Sequence, residues 1–375
     1  MSEPKSLLNK HKSSTKLSSN DAPRKSIGRE IAEIAFIALI LVPFVNAFVL
    51  QSYAIPTPSM EGSMLVGDKL FVSKLHYGPR IPMTPLALPY AHDKAFGMKS
   101  YSEILQLPYK RLPGLGKIDR GDVIVFNYPG DYPAKIPVDK RTNYVKRCVA
   151  EAGDSIALSN GDLIVNGQKQ DFMPDMQHLY IAELNAPFNP KNLEKLGIGP
   201  LSIAQGGENR YGLFLTDKQA ENVKKMSNIV NFERKLFPKE IKQPDIYPQD
   251  TAIGWNLDNF GPLYLPKRGD KIKLDQRNYS LYQLPIREYE NNPTLTWKDG
   301  KAYIKDQAIE EYEFKMNYYF AMGDNRENSL DSRYWGMVPE DHIVGTPVFV
   351  WLSTDPNASS WAKWIRWGKS FRLVH

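Results

Sequence analysis

The segment Ile34–Leu50 constrains this chain more than any other part of it. Its 17 residues read IAFIALILVPFVNAFVL, with no charge and with Asn46 as the clearly polar residue. This length is at the lower limit of what crosses the hydrocarbon core of a membrane, and Pro43 is tolerated in a spanning helix. We therefore predict a single transmembrane helix at residues 31–52.

A cleaved secretory signal is the alternative interpretation of the same run. The tripeptide Ser52-Tyr53-Ala54 offers a small-x-small cleavage site. However, the run exceeds the roughly 7–15 apolar residues of a signal core, a long tail precedes it, and Pro56 follows the site. The sequence favours a retained anchor.

The charges before the anchor predict its orientation. The first 29 residues hold two acidic residues, Glu3 and Asp21, against seven basic ones: Lys5, Lys10, Lys12, Lys16, Arg24, Lys25 and Arg29. Excess Lys and Arg on one side of a span marks the cytoplasmic side. We expect a basic cytoplasmic tail at residues 1–30, everything after Tyr53 outside, and a lipid bilayer as a partner.

The same charges argue against nucleic acid as a partner. The chain carries a formal net charge of +6, and five of these six surplus charges lie in the tail. A basic nucleic-acid-associated membrane protein would instead concentrate basic residues in the exported part.

The composition favours a mainly β fold. Twenty Tyr, sixteen Phe and twenty-eight Pro residues favour short strands and loops interrupted by proline. Strand-like runs lie at residues 69–74, 123–129, 143–149 and 344–353, and Asn160-Gly161 is a hairpin turn signal. We predict a β core at 53–167 and 316–375, with a loop excursion at 76–117, and an inserted mixed domain at 168–315, with helix-permissive pieces near 217–235.

Several hydrolytic and nucleotide chemistries have no site in the sequence. The six histidines show no paired metal-ligand spacing, and no GxSxG, phosphate-loop or GxGxxG motif occurs. The single cysteine, Cys148, cannot form an intramolecular disulfide, and we interpret it as a small buried side chain rather than a nucleophile. We expect no metal and no organic cofactor.

A serine paired with a lysine remains as a hydrolytic arrangement. Lysine accepts a hydroxyl proton only when neutral, so burial must depress its pKa of about 10.4 by roughly 2 units. Lys146 fits this need because Tyr144, Val145, Cys148 and Val149 surround it on an apolar strand. The Ser-x-x-Lys matches at 13–16 and 360–363 lack a Lys-Thr-Gly companion, which argues against a penicillin-binding fold.

Five segments carry a resemblance to a known family. They are Ile55–Met60, the Gly67-Asp68 turn with its following strand, Arg120–Phe126, Tyr144–Val149 with Gly153-Asp154, and the GDNRxNSxDSRYWG stretch Gly323–Gly336. In this order they resemble the successive conserved boxes of type I signal peptidases, bacterial serine proteases with a Ser/Lys dyad. The boxes cover about a third of the chain and leave 76–117 and 168–315 uncovered.

The resemblance implies a role for each matching residue. Ser59 is the expected nucleophile and Lys146 its general base, with Ser329 orienting the base amine. The oxyanion hole is expected from the Ser59 N–H and the Thr57 hydroxyl, where serine is commoner in the family and Pro58 replaces the usual glycine. The expected supporting residues are Gly323, Asp324, Asp331 and Arg333, and the expected pocket residues for small P1 and P3 side chains are Tyr53, Ile55 and Val145.

The implied function is removal of signal peptides from exported preproteins through an acyl-enzyme. The implied location is the bacterial inner membrane, with the catalytic part on the extracytoplasmic side. Ser59 follows Leu50 by nine residues, so an extended chain keeps it within about 30 Å of the bilayer. A non-catalytic tethered binding protein is the rival hypothesis, and it predicts loss of Ser59 or Lys146. The segment Trp361–Phe371 suits either a membrane interface or a packed edge of the β core.

Overall fold

A computed structural model describes residues 26–88, 93–95, 97–170, 175–207, 209–358 and 360–374. Of the predicted tail, residues 1–25 lie outside this described part. The chain forms two compact units, Met1–Val42 and Pro43–His375.

The N-terminal helical segment runs from Ile27 to Phe48 and contains 22 residues with a mean hydropathy of 2.3. Its parts are α1 (Ile27–Phe36), a π-helical turn (Ile37–Leu41) and α2 (Val42–Phe48). The side chain of Ser26 caps the first turn by accepting a hydrogen bond from Arg29 N. The helix is long and apolar enough to cross a membrane, as predicted, but it ends before residue 52 because a strand begins at Leu50.

The remaining elements are short and mostly extended. The helices are α3 (Pro190–Lys195), α4 (Asp217–Lys224), α5 (Gln276–Leu284) and α6 (Ser332–Trp335). The strands are β1 (Leu50–Ala54), β2 (Asp68–Ser73), β3 (Lys94–Ala95), β4 (Met98–Lys99), β5 (Val123–Asn127), β6 (Asn143–Ala150), β7 (Ser155–Ser159), β8 (Asp162–Val165), β9 (Gln168–Lys169), β10 (His178–Leu184), β11 (Ile203–Gln205), β12 (Arg210–Leu215), β13 (Ile229–Arg234), β14 (Phe260–Tyr264), β15 (Lys271–Lys273), β16 (Thr296–Lys298), β17 (Lys301–Ile304), β18 (Gln307–Ile309), β19 (Glu311–Glu313), β20 (Tyr318–Met322), β21 (Val338–Pro339), β22 (Ile343–Ser353) and β23 (Arg372–Leu373). The prediction of a mainly β fold with one N-terminal apolar helix is confirmed.

The largest sheet positions the candidate site. Its strand order is β1-β2-β22-β5-β6-β20-β21, and β23 also pairs with β22. Every residue of β5 is buried, because an apolar run in a central strand packs on both faces of the sheet. In β2, buried positions alternate with partly buried ones, as the two-residue period of a strand requires.

A second sheet joins the predicted core to the predicted insertion. It has the order β14-β7-β8-β9. The Asn160-Gly161 turn connects β7 and β8 with φ angles of 50° and 78°, as expected for a two-residue hairpin. Since β14 comes from the 168–315 stretch and pairs with β7, part of that stretch shares a sheet with the predicted core.

A third sheet, β11-β12-β10-β13, lies entirely within residues 178–234. It packs its own hydrophobic cluster, which includes Leu184, Leu213 and Val223. The helix-permissive stretch 217–235 divides here into α4 and β13. The boundaries of the insertion stay a prediction. Strand pairing nevertheless places residues 178–234 in one sheet and β14 in another.

Candidate active site

Ser59 and Lys146 meet although 87 residues separate them in sequence. Ser59 lies in a 3₁₀ turn, Pro58–Met60, between β1 and β2, and Lys146 lies in β6. Lys146 Nζ donates a hydrogen bond to Ser59 Oγ at 2.5 Å. The side chains are largely enclosed, with Ser59 8% and Lys146 4% exposed. A nucleophile and a base are therefore within proton-transfer distance.

The environment of Lys146 changes its protonation. Burial is the main cause that lowers the pKa of its ammonium group from 10.5 to about 8. The carboxylates of Asp331 and Asp324 raise this pKa, and the charge of Arg333 lowers it further. Burial disfavours the charged form because the protein solvates an ammonium ion less well than water. A large fraction of Lys146 is therefore neutral near pH 8, which a general base requires.

Thr57 lies beside the Ser59 hydroxyl on the exposed side of the turn. Its backbone is extended, with φ −129° and ψ 153°, and its Oγ1 lies 3.5 Å from Ser59 Oγ. Pro58 occupies the first position of the 3₁₀ turn, where a fixed φ suits the helix. The hydroxyl expected for an oxyanion hole is thus next to the nucleophile.

Gly323 lies where the loop after β20 touches the Ser59 backbone. A Cβ at Gly323 would lie 2.2 Å from Ser329 Oγ and 2.5 Å from the carbonyl oxygen of Ser59. The side chain of Ser329 is buried, and its Oγ has no hydrogen-bond partner among the described residues. Ser329 is therefore close to the Ser59 backbone, and its predicted contact with the Lys146 amine is not formed.

Asp331 and Arg333 form a buried ion pair behind this loop. Arg333 donates to both carboxylate oxygens of Asp331 at 2.8 Å, and Asp331 also accepts from Gly323 N at 3.1 Å. Burial alone raises the pKa of Asp331, but the charge and hydrogen bonds of Arg333 leave it below its ordinary value. The pair fixes the backbone at Gly323 and, through it, the loop that carries Ser329.

Asp324 forms a second buried ion pair, with Arg147. Arg147 donates to both carboxylate oxygens at 2.8 Å, and the two side chains are 3% and 2% exposed. Ser63, from the segment after Ser59, donates to the same carboxylate. Asp324 thereby connects the loop after β20 to β6 and to the segment after the nucleophile.

Arg147, Asn325 and Ser63 of this assembly were not singled out in the sequence, although Arg147 and Asn325 lie in the quoted boxes. Arg147 adjoins Lys146 in β6. Asn325 donates from its backbone N–H to Ser59 O at 3.1 Å and from Nδ2 to Pro58 O at 3.2 Å. The signal available for Arg147 and Asn325 was that each adjoins a predicted site residue within a box. No further signal was available in the sequence because their bonding partners lie far away in the chain.

The predicted pocket residues fall in different environments. Ile55 is buried in a cluster with Met60, and Val145 packs against that cluster. Tyr53 packs with Val145 against a second cluster and lines a cavity of about 610 Å³. Burial raises the pKa of Tyr53. Val145 therefore packs against both the cluster that contains Ile55 and the cluster that Tyr53 contacts.

Other nucleophiles and metal ligands are not assembled in the described part of the chain. Cys148 is fully buried, and burial is the main reason why the pKa of its thiol is raised, which disfavours the reactive thiolate. Within the described ranges, no group of three or more His, Cys, Asp or Glu side chains is placed to hold a metal ion.

Comparisons with known proteins agree on one family. A family model described as "Signal peptidase, peptidase S26" matches residues 28–228 and 267–352, more than half of the chain. A signal peptidase I from Buchnera aphidicola subsp. Acyrthosiphon pisum is 27% identical over 88% of this chain and 76% of the relative. Those from Haemophilus influenzae and Pseudomonas aeruginosa are 22% and 24% identical, over 92% and 91% of this chain and 75% and 77% of the relatives.

Proposed function

The chain belongs to the peptidase S26 family of signal peptidases and is a serine peptidase, and from this premise we propose that Ser59 and Lys146 form its catalytic dyad. The observation that carries the proposal is the 2.5 Å hydrogen bond between Lys146 Nζ and Ser59 Oγ inside a site that depresses the lysine pKa. The substrates are exported preproteins that carry N-terminal signal peptides.

In the proposed mechanism, neutral Lys146 takes the proton of Ser59 Oγ as that oxygen attacks the scissile carbonyl carbon. The Thr57 hydroxyl and the Ser59 N–H stabilise the resulting oxyanion. The C–N bond then breaks, and Lys146 returns the proton to the leaving amine. Lys146 next deprotonates a water molecule as its oxygen attacks the ester carbonyl carbon on Ser59. The bond from that carbon to Ser59 Oγ then breaks, Lys146 returns the proton to Ser59 Oγ, and the signal peptide leaves as a carboxylic acid.

The substrate segment is proposed to bind as an added β-strand. β1 is the outermost strand of the large sheet on one side. On β6, the partner β20 pairs only with Arg147, Cys148 and Ala150, so Tyr144–Lys146 have no strand partner on that side among the described strands. Because Ser59 follows β1 and touches Lys146, these two edges lie close enough for an extended peptide to bond to both.

Small P1 and P3 side chains remain the expected specificity. Ile55 belongs to the buried cluster that also holds Met60, next to Ser59, and Val145 packs against that cluster. We expect side chains already packed in this way to leave little depth for a large substrate side chain. Peptides with alanine at P1 should be cleaved much faster than otherwise identical peptides with leucine there.

The proposed location follows from the helix and the tail. The Ile27–Phe48 helix is long and apolar enough to anchor the chain, and the basic residues before it favour a cytoplasmic N-terminus. We propose a single-pass protein of the bacterial inner membrane whose catalytic part, Tyr53 onward, lies on the extracytoplasmic side. Protease protection in sealed, oriented membrane vesicles tests this orientation.

The dyad is tested by cleavage of a preprotein with the full chain in phospholipid–detergent micelles. Ser59→Ala and Lys146→Met are each expected to abolish turnover, because one removes the nucleophile and the other removes the amine while keeping its apolar stem. Lys271→Met, at a surface lysine that is 56% exposed, is the matched control and should keep full activity. Turnover retained in either dyad variant would refute the mechanism.

A further inference from the structure

A polar cavity of about 610 Å³ lies where the apolar helix gives way to β1. Its volume is within the range of small-molecule sites. Pro43, Asn46 and Ala47 of the last helical turns line one part of it, and Gln51–Tyr53 of β1 line another. The other lining residues come from the segment after β2, from the segment before β6, and from single positions in β5, β6 and β22. Ser59 and Lys146 are not among its lining residues.

The cavity carries an excess of positive charge. Its charged lining residues are Lys74, Arg80 and Lys140, against the single carboxylate of Asp139. That carboxylate already accepts two hydrogen bonds of 2.8 Å, from the backbone N–H and the hydroxyl of Thr84. Among the charged lining residues, cationic donors therefore outnumber anionic acceptors.

The charge of the three cations is only partly compensated: the carboxylates of Asp139 and Asp341 act on Arg80, and that of Asp139 acts on Lys140. Arg80 donates to neutral oxygens, the side-chain oxygen of Asn127 at 2.6 Å and the backbone carbonyl of Asp341. Within the described part of the chain, none of Lys74, Arg80 and Lys140 forms an ion pair, that is, has a carboxylate oxygen within 4.0 Å of its nitrogen atoms. Burial and then the charge of Arg80 lower the pKa of Lys74 to about 7, and burial is the main cause that lowers the pKa of Lys140. Cations held together in this way are stabilised by a bound anion.

The rim of the cavity is suited to acyl chains. Leu88 lines the cavity and is 54% exposed. Phe44 is not a lining residue, but it follows the lining residue Pro43 in the helix and is 55% exposed. Exposed apolar side chains beside a cationic recess are the arrangement that a lipid requires, since its headgroup is anionic and its chains are apolar. A soluble anion would use only the recess.

We propose that this cavity binds the phosphate of an anionic phospholipid headgroup from the membrane that anchors the chain. Lys74, Arg80 and Lys140 contact the phosphate, and the acyl chains pass over Leu88 and Phe44. The proposal rests on the membrane anchoring proposed above and is independent of the Ser59/Lys146 dyad.

The test measures binding of a short-chain lipid to the full chain in neutral detergent micelles by calorimetric titration. Dihexanoyl phosphatidylglycerol is expected to bind at least about tenfold more tightly than dihexanoyl phosphatidylcholine. In Lys74→Gln/Lys140→Gln, affinity for phosphatidylglycerol should fall about 25-fold, since each cation near an anionic lipid contributes roughly a fivefold factor. The matched control is Lys224→Gln/Lys225→Gln, which removes the same charge from exposed positions at the end of α4 and should bind as wild type does.

Three outcomes would overturn the proposal. One is equal binding of phosphatidylglycerol by the cavity variant and wild type. Another is equal affinity of wild type for inorganic phosphate and phosphatidylglycerol, which would identify a site for a free anion. The third is that Lys74→Gln/Lys140→Gln loses peptide cleavage in lipid-free detergent but still binds phosphatidylglycerol. This result would assign the cavity to the substrate. If the double variant does not fold, Lys140→Gln alone should bind phosphatidylglycerol about fivefold more weakly.

Cleavage in lipid-free detergent also separates this proposal from the catalytic one. The cavity variant should cleave a soluble peptide there at the wild-type rate, whereas Ser59→Ala should bind phosphatidylglycerol normally and cleave nothing. Failure of one proposal is therefore visible without failure of the other.

Discussion

Replacing Gly323 with alanine is expected to displace the backbone of the nucleophile. The added Cβ would lie 2.5 Å from Ser59 O and 2.2 Å from Ser329 Oγ, whereas ordinary van der Waals contact begins at 3.4 Å. Ser59 O accepts a hydrogen bond from Asn325 N at 3.1 Å, so it cannot move without disturbing that contact as well. The Ser59 carbonyl must shift by about 1 Å, and a displacement of this size costs about 100-fold in rate.

The expected result is therefore a fall of about 100-fold in kcat/KM, together with a loss of about 1–3 kcal/mol of stability from overpacking. Steady-state cleavage of a fluorogenic signal-peptide substrate measures the first quantity, and thermal unfolding of the same sample measures the second. Working at a temperature where the variant is fully folded separates the catalytic defect from the loss of stability.

Two further variants sharpen the measurement. Gly199→Ala is the matched control, because its Cβ would meet nothing within 4 Å and its φ is −87°, so both quantities should match wild type. Gly323→Ala/Ser329→Ala removes the Ser329 hydroxyl but leaves the contact with Ser59 O, so activity should not recover. Wild-type kcat/KM in Gly323→Ala, or full recovery in the double variant, would refute the argument.

Three other predictions concern the base, the oxyanion and the buried ion pair. Only neutral Lys146 accepts a proton, so kcat/KM should rise about tenfold per pH unit up to about pH 8 and level off above it. Lys74→Gln should keep the inflection near pH 8. If the inflection disappears in that variant, the titrating group is Lys74. Thr57→Val should lower kcat about 100- to 1000-fold in steady-state assays while Thr57→Ser stays active, and equal rates for the two would exclude the hydroxyl from the oxyanion hole. Arg147→Met should lower the free energy of unfolding by about 3–5 kcal/mol in denaturant titrations, because it leaves the Asp324 carboxylate buried without its partner; Asp324→Asn in the same chain should restore part of this loss, and no restoration would contradict the ion-pair explanation.

Local patterns in the sequence were sufficient for several structural features. The apolar run predicted the helix, and Asn160-Gly161 predicted a hairpin, because both depend on neighbouring residues alone. The predicted bounds of two helical segments differ from the structure where strand pairing decided them. The predicted span ended at residue 52, yet Leu50 already pairs with Ser73, and part of the 217–235 stretch became β13 because it pairs with β10.

The candidate site divides in the same way. The order of the boxes was enough to single out Ser59 and Lys146, but it did not single out Arg147, Asn325 or the cavity around Lys74. Their partners are distant in the chain, as with Arg147 and Asp324, which are 177 residues apart. Sequence spacing does not encode such contacts, which exist only once the sheet has formed.

The sequence by itself determined which residues are available for chemistry: an apolar N-terminal segment, a serine after β1, and a lysine on an apolar strand. Only the tertiary structure decided what Lys146 can do. Its pKa near 8 follows mainly from burial, adjusted by Asp331, Asp324 and Arg333, and the distance to Ser59 follows from the pairing of β1, β2, β22, β5 and β6. A protonation equilibrium depends on every charge and dipole around the group, and those surroundings are assembled by folding.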